Sequence, residues 1–214
     1  MKITSITVGP FEENCYILVD DLTSSRDAVL VDPGDEGSRI LREVERAEAQ
    51  IKAVWLTHAH IDHIGAVSAV RRVWDVPVYL HPLDRPLYDR GAEQAAPFGL
   101  AFEQPEAPER TLTDGDILEV GALRFTVLHV PGHSPGHVGF RGHGVLFGGD
   151  CLFAGSVGRT DMPFCDPAEF EKSLQLLCAL PPDTTVRPGH GPATTIGAEL
   201  RANPFLSSTM RRQG

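Results

Sequence analysis

The chain has 214 residues, a formal net charge of -10, 42% hydrophobic and 22% charged residues, the profile of a globular protein large enough for a substantial core. That acidity argues against a nucleic-acid partner, because binding phosphate needs a basic face. No apolar run reaches membrane-span length and the N-terminal MKITSITVGP lacks the apolar core of a signal peptide, so no membrane association is expected and the cytoplasm is the default location.

From the N-terminus, KITSITV, NCYILVD and AVLVDPG read as strands, the last closed by a Pro-Gly stop. EGSRILREVERAEA then spaces Ile40, Leu41, Val44 and Ala47 along one helical face. IKAVWLT is a short apolar strand, GAVSAVRRVW a helix and VPVYLH the next strand. This strand–helix alternation implies a parallel component, with ligands gathering where strands end. Residues 82–110, rich in Pro, Ala and Glu, form a long connection of the kind used for lids; Phe98, Leu100 and Phe102 favour that use over an idle loop.

The second half repeats the style with ILEV, LRFTVLHV, HVGFRG, GVLFGGD and, after a helix, TTVRPGH. In that helix Asp166 suits the N-cap and Pro167 the first helical position, with Phe170, Leu174, Leu177 and Cys178 facing inward. Two similar halves suggest two sheets packed face to face with helices outside, an order-of-elements inference because no sequence repeat is visible. Cys15, Cys151, Cys165 and Cys178 are scattered with no C-x-x-C pair, as expected of buried or free thiols in a reducing compartment.

One stretch stands apart. THAHIDHIG packs His58, His60, Asp62 and His63 into six positions directly after an apolar strand. Three more candidates follow apolar strands in the same way: His133 in LHVPGHSPGH, Asp150 in VLFGGDCLF and His190 in VRPGHGP. Seven nitrogen and oxygen donors without sulfur are too many for one tetrahedral ion and suit two ions sharing a carboxylate. Imidazole with carboxylate fits zinc, iron or manganese; zinc is the first expectation, with iron or manganese as alternatives. Neighbouring glycines, among them Gly65, Gly132, Gly148, Gly149, Gly189 and Gly191, allow sharp turns around the ions. His81, His129, His137 and His143 are read as hydrogen-bonded structural or surface groups, and Cys151 as core.

The motif THAHIDH, followed in order by a His, an Asp and a His, resembles the metallo-β-lactamase superfamily from VDPG to PGHG. The resemblance implies an α/β fold, the four-layer αββα sandwich. It would give the first metal His58, His60 and His133, the second Asp62, His63 and His190, and make Asp150 the bridge. Asp32 in VDPGD matches an acid that orients a ligand histidine, or it caps the adjacent turn. Zinc β-lactamases with a cysteine in place of Asp150, and diiron flavoproteins with a glutamate in place of His60, are set aside. GGDCLFAGSVGRTD and GHGPATTIGAELRANPFL are similar to the glyoxalase II group. Two departures bear on specificity: that group's helical C-terminal domain is not seen after NPFL, and its tyrosine two places beyond the basic residue is Asp161 here.

The expectation is therefore a single domain, residues 1–214, resembling the short glyoxalase II-like hydrolases. It would act on a small-molecule thioester, S-D-lactoylglutathione or a related one, by attack of a hydroxide held between two metals. Asp62 and Asp150 would be its catalytic carboxylates. Arg159 occupies the basic position and would bind a substrate carboxylate, unless it merely pairs with Asp161. The alternative is a mononuclear Fe(II) persulfide dioxygenase using His58, His133 and Asp150.

Overall fold

The computed structural model describes residues 1–206; the last eight residues of the expected domain lie outside the described residues. Three antiparallel-joined strands open the chain: β1 (Lys2–Val8), β2 (Glu13–Val19) and β3 (Asp27–Val31). Helix α1 (Gly37–Arg46) then leads to β4 (Gln50–Trp55). Two short helices follow, α2 (Ile61–Ile64) and α3 (Val67–Arg71), and then β5 (Val78–Leu80). Short helices α4 (Arg85–Tyr88) and α5 (Gly91–Ala95) precede β6 (Arg110–Thr111), which completes a sheet of order β1-β2-β3-β4-β5-β6. From β3 to β6 the pairing is parallel, as the strand–helix alternation predicts.

The second half builds β7 (Ile117–Val120), β8 (Leu123–His129), β9 (Val138–Gly142) and β10 (Val145–Gly149). A small hairpin, β11 (Leu152–Phe153) with β12 (Ser156–Val157), precedes α6 (Pro167–Cys178), β13 (Thr185–Pro188), β14 (Thr194–Thr195) and α7 (Ile196–Ala202). The second sheet has the order β14-β13-β10-β9-β8-β7.

Side-chain alternation along each strand sorts the apolar residues into three layers. Tyr16, Leu18, Val31 and Trp55 from the first sheet meet Phe125, Val127, Phe140 and Phe147 from the second. Trp55 lies 5.4 Å from Phe140 and Tyr16 5.3 Å from Phe147, centroid to centroid, so aromatic contacts join the sheets. On the outer face of the first sheet Ile17, Leu30 and Val54 pack on Ile40, Val44, Val67 and Val70. On the outer face of the second, Leu146 and Val186 pack on Phe170, Leu174 and Leu177. Helix, sheet, sheet, helix: the αββα sandwich is present.

Local differences from the sequence reading have local causes. The helix expected over GAVSAVRRVW is limited to Val67–Arg71. Gly65 keeps helical dihedrals and packs on the β3–α1 loop, where a Cβ would stand 2.3 Å from Gly34 O; the break falls at Ala66, with φ -98° and ψ 1°. Leu41 and Cys178 are only partly buried, whereas Asp166 caps α6 as expected, accepting from Ala168 N–H and Glu169 N–H at 2.9 and 3.1 Å. Residues 82–110 are not one open loop. Asp84, Leu87, Tyr88 and Ala95 are buried, while Phe98 remains 60% exposed.

Candidate metal centre

The seven donors come from four strand ends. β4 delivers His58 to His63, β8 leads to His133, β10 ends one residue before Asp150, and β13 ends two before His190. The sheets are laced together at this edge. Asn14 N–H donates to Gly189 O at 2.7 Å, Asn14 Nδ2 to Gly191 O at 2.8 Å and Tyr16 OH to Pro188 O at 2.7 Å, which holds the His190 loop against β2. Glycine is required at two points. Gly149 has φ +48°, and a Cβ there would lie 2.5 Å from Thr57 Oγ1; a Cβ at Gly189 would lie 2.1 Å from Asp150 Oδ1.

His58, His60 and His133 form one set with donor atoms within 4.8 Å of one another; Asp62, His63 and His190 form a second, and His58, His63 and Asp150 a third that overlaps both. Asp150 touches each side: Oδ1 is 3.4 Å from His63 Nε2, and Oδ2 is 3.5 Å from both His133 Nε2 and His190 Nε2. Asp62 Oδ2 lies 3.2 Å from His190 Nε2. All seven residues singled out in the sequence therefore converge on one point of the fold.

Outer partners decide which ring nitrogen faces the centre. His63 Nδ1 lies 3.1 Å from Asp32 Oδ2, His133 Nδ1 2.8 Å from Arg159 O and His58 Nδ1 3.1 Å from Thr57 Oγ1, so all three present Nε2 inward. His60 is the exception, turning Nδ1 to within 2.9 Å of His133 Nε2. Asp32 both orients the histidine and fixes the turn: its carboxylate also accepts from Thr57 N–H at 2.7 Å and Thr57 Oγ1 at 2.6 Å. It does so from φ +48°, a left-handed conformation that aspartate tolerates better than most residues.

Do these residues fit metal ions? His58 Nε2, His63 Nε2 and Asp150 Oδ1 are buried with no hydrogen-bond partner. Buried polar atoms without partners are costly, and here several aim at one small volume, as donors awaiting cations do. The electrostatics agree. Burial holds His58 well below the usual imidazole range and takes His60 down to about 3, leaving both neutral with a free lone pair. Burial opposes ionisation of Asp150, but His63, His190 and His133 outweigh it and hold the carboxyl well below its usual range. For His190 burial again opposes the charge, and the contacts to Asp150 and Asp62 raise it to about 10.

Three participants escaped the sequence reading. Asp84, buried in a segment read as a lid, accepts from Ala59 N–H at 3.1 Å, Ser134 Oγ at 2.7 Å and Gly136 N–H at 2.5 Å, joining the His58–His63 loop to the His133 loop. Gln94 of the same segment takes Ile61 N–H at 3.2 Å and donates to Ala59 O at 3.1 Å. Glu13 is buried with both carboxylate oxygens unpartnered, Oε1 standing 3.9 Å from His63 Nδ1, and burial pushes its carboxyl well above the usual range. An acid at a strand start is ordinary in sequence, so no pattern marked it. His137, read as structural, is structural at close quarters: its Nε2 accepts Asp150 N–H at 2.9 Å. His81 and His129 stack at 4.3 Å, and His143 accepts Arg124 N–H at 3.1 Å.

Residues 8–190 match the model of the metallo-beta-lactamase superfamily. The chain belongs to that superfamily. Among the relatives of this metallo-β-lactamase-fold protein is hydroxyacylglutathione hydrolase GloC of Haemophilus influenzae, 38% identical over 97% of this chain and 99% of GloC. Two solved structures are also similar. TTHA1623, determined in a di-iron-bound form, is 46% identical with a TM-score of 0.87, over 94% of this chain and 99% of that one. The B3 metallo-beta-lactamase BLEG-1 is 38% identical with a TM-score of 0.90, over 96% and 100%. As a superfamily member with these likenesses the protein is a metal-dependent hydrolase by class, and no helix among the described residues is long and apolar enough to cross a membrane.

A cavity of about 770 Å³ opens directly onto the centre, reaching Asp62, His133, Asp150 and His190, a volume suited to a small molecule. Arg159 lies on its wall, but its Nε and one terminal nitrogen donate to Asp161 Oδ1 and Oδ2 at 2.7 and 3.0 Å.

Proposed function

We propose that the protein hydrolyses acyl thioesters with two divalent transition-metal ions, S-D-lactoylglutathione or a related thioester being the substrate. The observation that carries this reading is Asp150, whose two oxygens reach histidines of both candidate sets while the cavity opens beside it. His58, His60 and His133 would hold one ion and Asp62, His63 and His190 the other. When bound, such ions supply Lewis acidity, lowering the pKa of a water to about 7 and polarising a carbonyl.

The chain's own residues then have definite tasks. Asp150 would keep the two ligand sets in register from its buried position. Asp62 is the more exposed carboxylate at the cavity floor, and its Oδ2 would take the proton of the attacking water. Water oxygen bonds to the acyl carbon, the carbon–sulfur bond breaks with its electron pair going to sulfur, and the departing thiolate then takes up that proton from Asp62 to leave a thiol and a carboxylic acid. A thiolate needs no strong general acid; Glu93, the other carboxyl on the cavity wall, sits beside Arg90. Arg159 would meet a substrate carboxylate only in exchange for Asp161. We further read the chain as a single cytoplasmic domain with residues 82–110 as its lid.

The deciding experiment is metal analysis of the purified protein with aerobic and anaerobic assays on lactoylglutathione, glutathione persulfide and a cephalosporin. About two ions per chain and oxygen-independent thioester cleavage are expected. One iron and oxygen consumption with the persulfide would establish the dioxygenase instead, and that reading leaves Asp62, His63 and His190 without a task. Cephalosporin cleavage in preference to thioester would overturn the substrate class.

A further inference from the structure

The cavity wall differs in character from its floor. Phe11, Leu87, Phe98, Phe153, Val157 and Phe164 line it. Phe98 is 60% and Phe164 49% exposed, and Phe11 packs edge-on against Phe98 with centroids 4.9 Å apart. Such large exposed side chains around one concavity mark a surface that an apolar ligand covers. Among the described residues two arginines line this wall, Arg90 and Arg159, and each already has a carboxylate neighbour. Arg159 is held by Asp161 through two nitrogens, and Arg90 has Glu93 at 3.9 Å and lies 5.9 Å over the Phe164 ring. Among the described residues lining this wall, a tripeptide thiol carrying two carboxylates would find no cation without a carboxylate neighbour.

We propose that the preferred substrate is a thioester whose bulk is apolar, bearing an aryl or branched alkyl group that lies against Phe98, Phe153 and Phe164, with the carboxylates of glutathione contributing no affinity. This rests on the thioester hydrolase reading and narrows it. The pairs Arg159–Asp161 and Arg90–Glu93 tune the rim to near neutrality, and the aromatic wall supplies the binding energy through loss of wetted apolar area.

Two measurements test it. In the first, the metal-loaded protein is given S-acetyl-N-acetylcysteamine, S-phenylacetyl-N-acetylcysteamine, S-acetyl-2-phenylethanethiol and S-lactoylglutathione. The better of the two aryl thioesters is expected to exceed the acetyl parent in kcat/KM by about ten- to a hundredfold, the gain from burying a phenyl group. Phe98→Ala, at an exposed position that does not support the core, should pull that ratio back toward one. In the second, calorimetry compares uncleavable thioethers: the 2-phenylethyl and methyl ethers of N-acetylcysteamine, and S-(2-phenylethyl)glutathione. The phenylethyl ether of N-acetylcysteamine should bind about tenfold or more tighter than the methyl ether, and no weaker than the glutathione ether. Equal binding of phenylethyl and methyl ethers overturns the proposal, as does a glutathione ether more than about tenfold tighter than its neutral counterpart. If every thioester resists cleavage while the phenylethyl preference persists, the hydrolase reading fails and the apolar wall stands.

Discussion

At the floor of the cavity His58 and His63 have no exposed surface and His133 and Asp150 almost none, and the rings of His58, His63 and His133 are each aimed by a named partner behind them. At the rim, a few residues away, Phe98 and Phe164 stand half exposed and the arginines are held only by side chains exposed like themselves. The floor is over-determined, so that almost any change there leaves a buried polar group unpaired. The rim is under-determined, and its residues can vary without unfolding anything. Chemistry that must be the same for every substrate sits in the first region and recognition in the second, a division expected when a rigid scaffold carries variable loops.

The widest gap between the regions should come from Asp150→Ala. Loss of a carboxylate common to both sets should reduce kcat/KM by about a thousandfold or more, equivalent to about 4 kcal/mol, and plasma emission analysis should find both ions depleted. Unchanged metal content would end the bridging assignment. His190→Ala is the sharper probe, because it removes one donor from one set: metal content should fall from about two ions to about one, with a rate loss of about a hundredfold. If both ions leave together, the sets are not separable.

Asp84→Asn tests how far the floor extends. Asparagine keeps the shape but replaces one acceptor oxygen by a donor facing Ala59 N–H, Ser134 Oγ or Gly136 N–H. Metal affinity, titrated against a chromogenic chelator, should drop about ten- to a hundredfold, the usual effect of removing a partner behind the ligands. An unaltered affinity would place Asp84 outside the over-determined region. The smallest effect belongs to the rim. Arg159→Ala breaks an ion pair between two exposed side chains, so kcat/KM for a neutral thioester should stay within about threefold of wild type. A large rise in KM confined to carboxylate-bearing substrates would instead make Arg159 an anchor and move it to the functional class of the floor.

Much of this was legible in the residue order. His58, His60, Asp62 and His63 are neighbours in sequence, and His133, Asp150 and His190 each follow a hydrophobic strand; a chain of alternating strands and helices brings such ends together because the strands are pinned by burial of their apolar faces. The αββα layering was implied by the resemblance of THAHIDH and the later His, Asp and His to the superfamily, and the order of elements in the two halves agreed with it. Other features were decided in three dimensions alone. Asp84 looks like any loop aspartate until Ala59, Ser134 and Gly136, up to 52 positions away, converge on its carboxylate. Glu13 looks like a strand-end acid until β2 is closed over by His63 and the Gly189–Gly191 turn. Whether Arg159 is free or paired also depends on side-chain geometry and not on the GRTD spelling. The physical reason is the same in each case: local sequence sets hydrophobic period and turn chemistry, whereas desolvation and hydrogen-bond partnership depend on groups that only packing brings within about 3 Å.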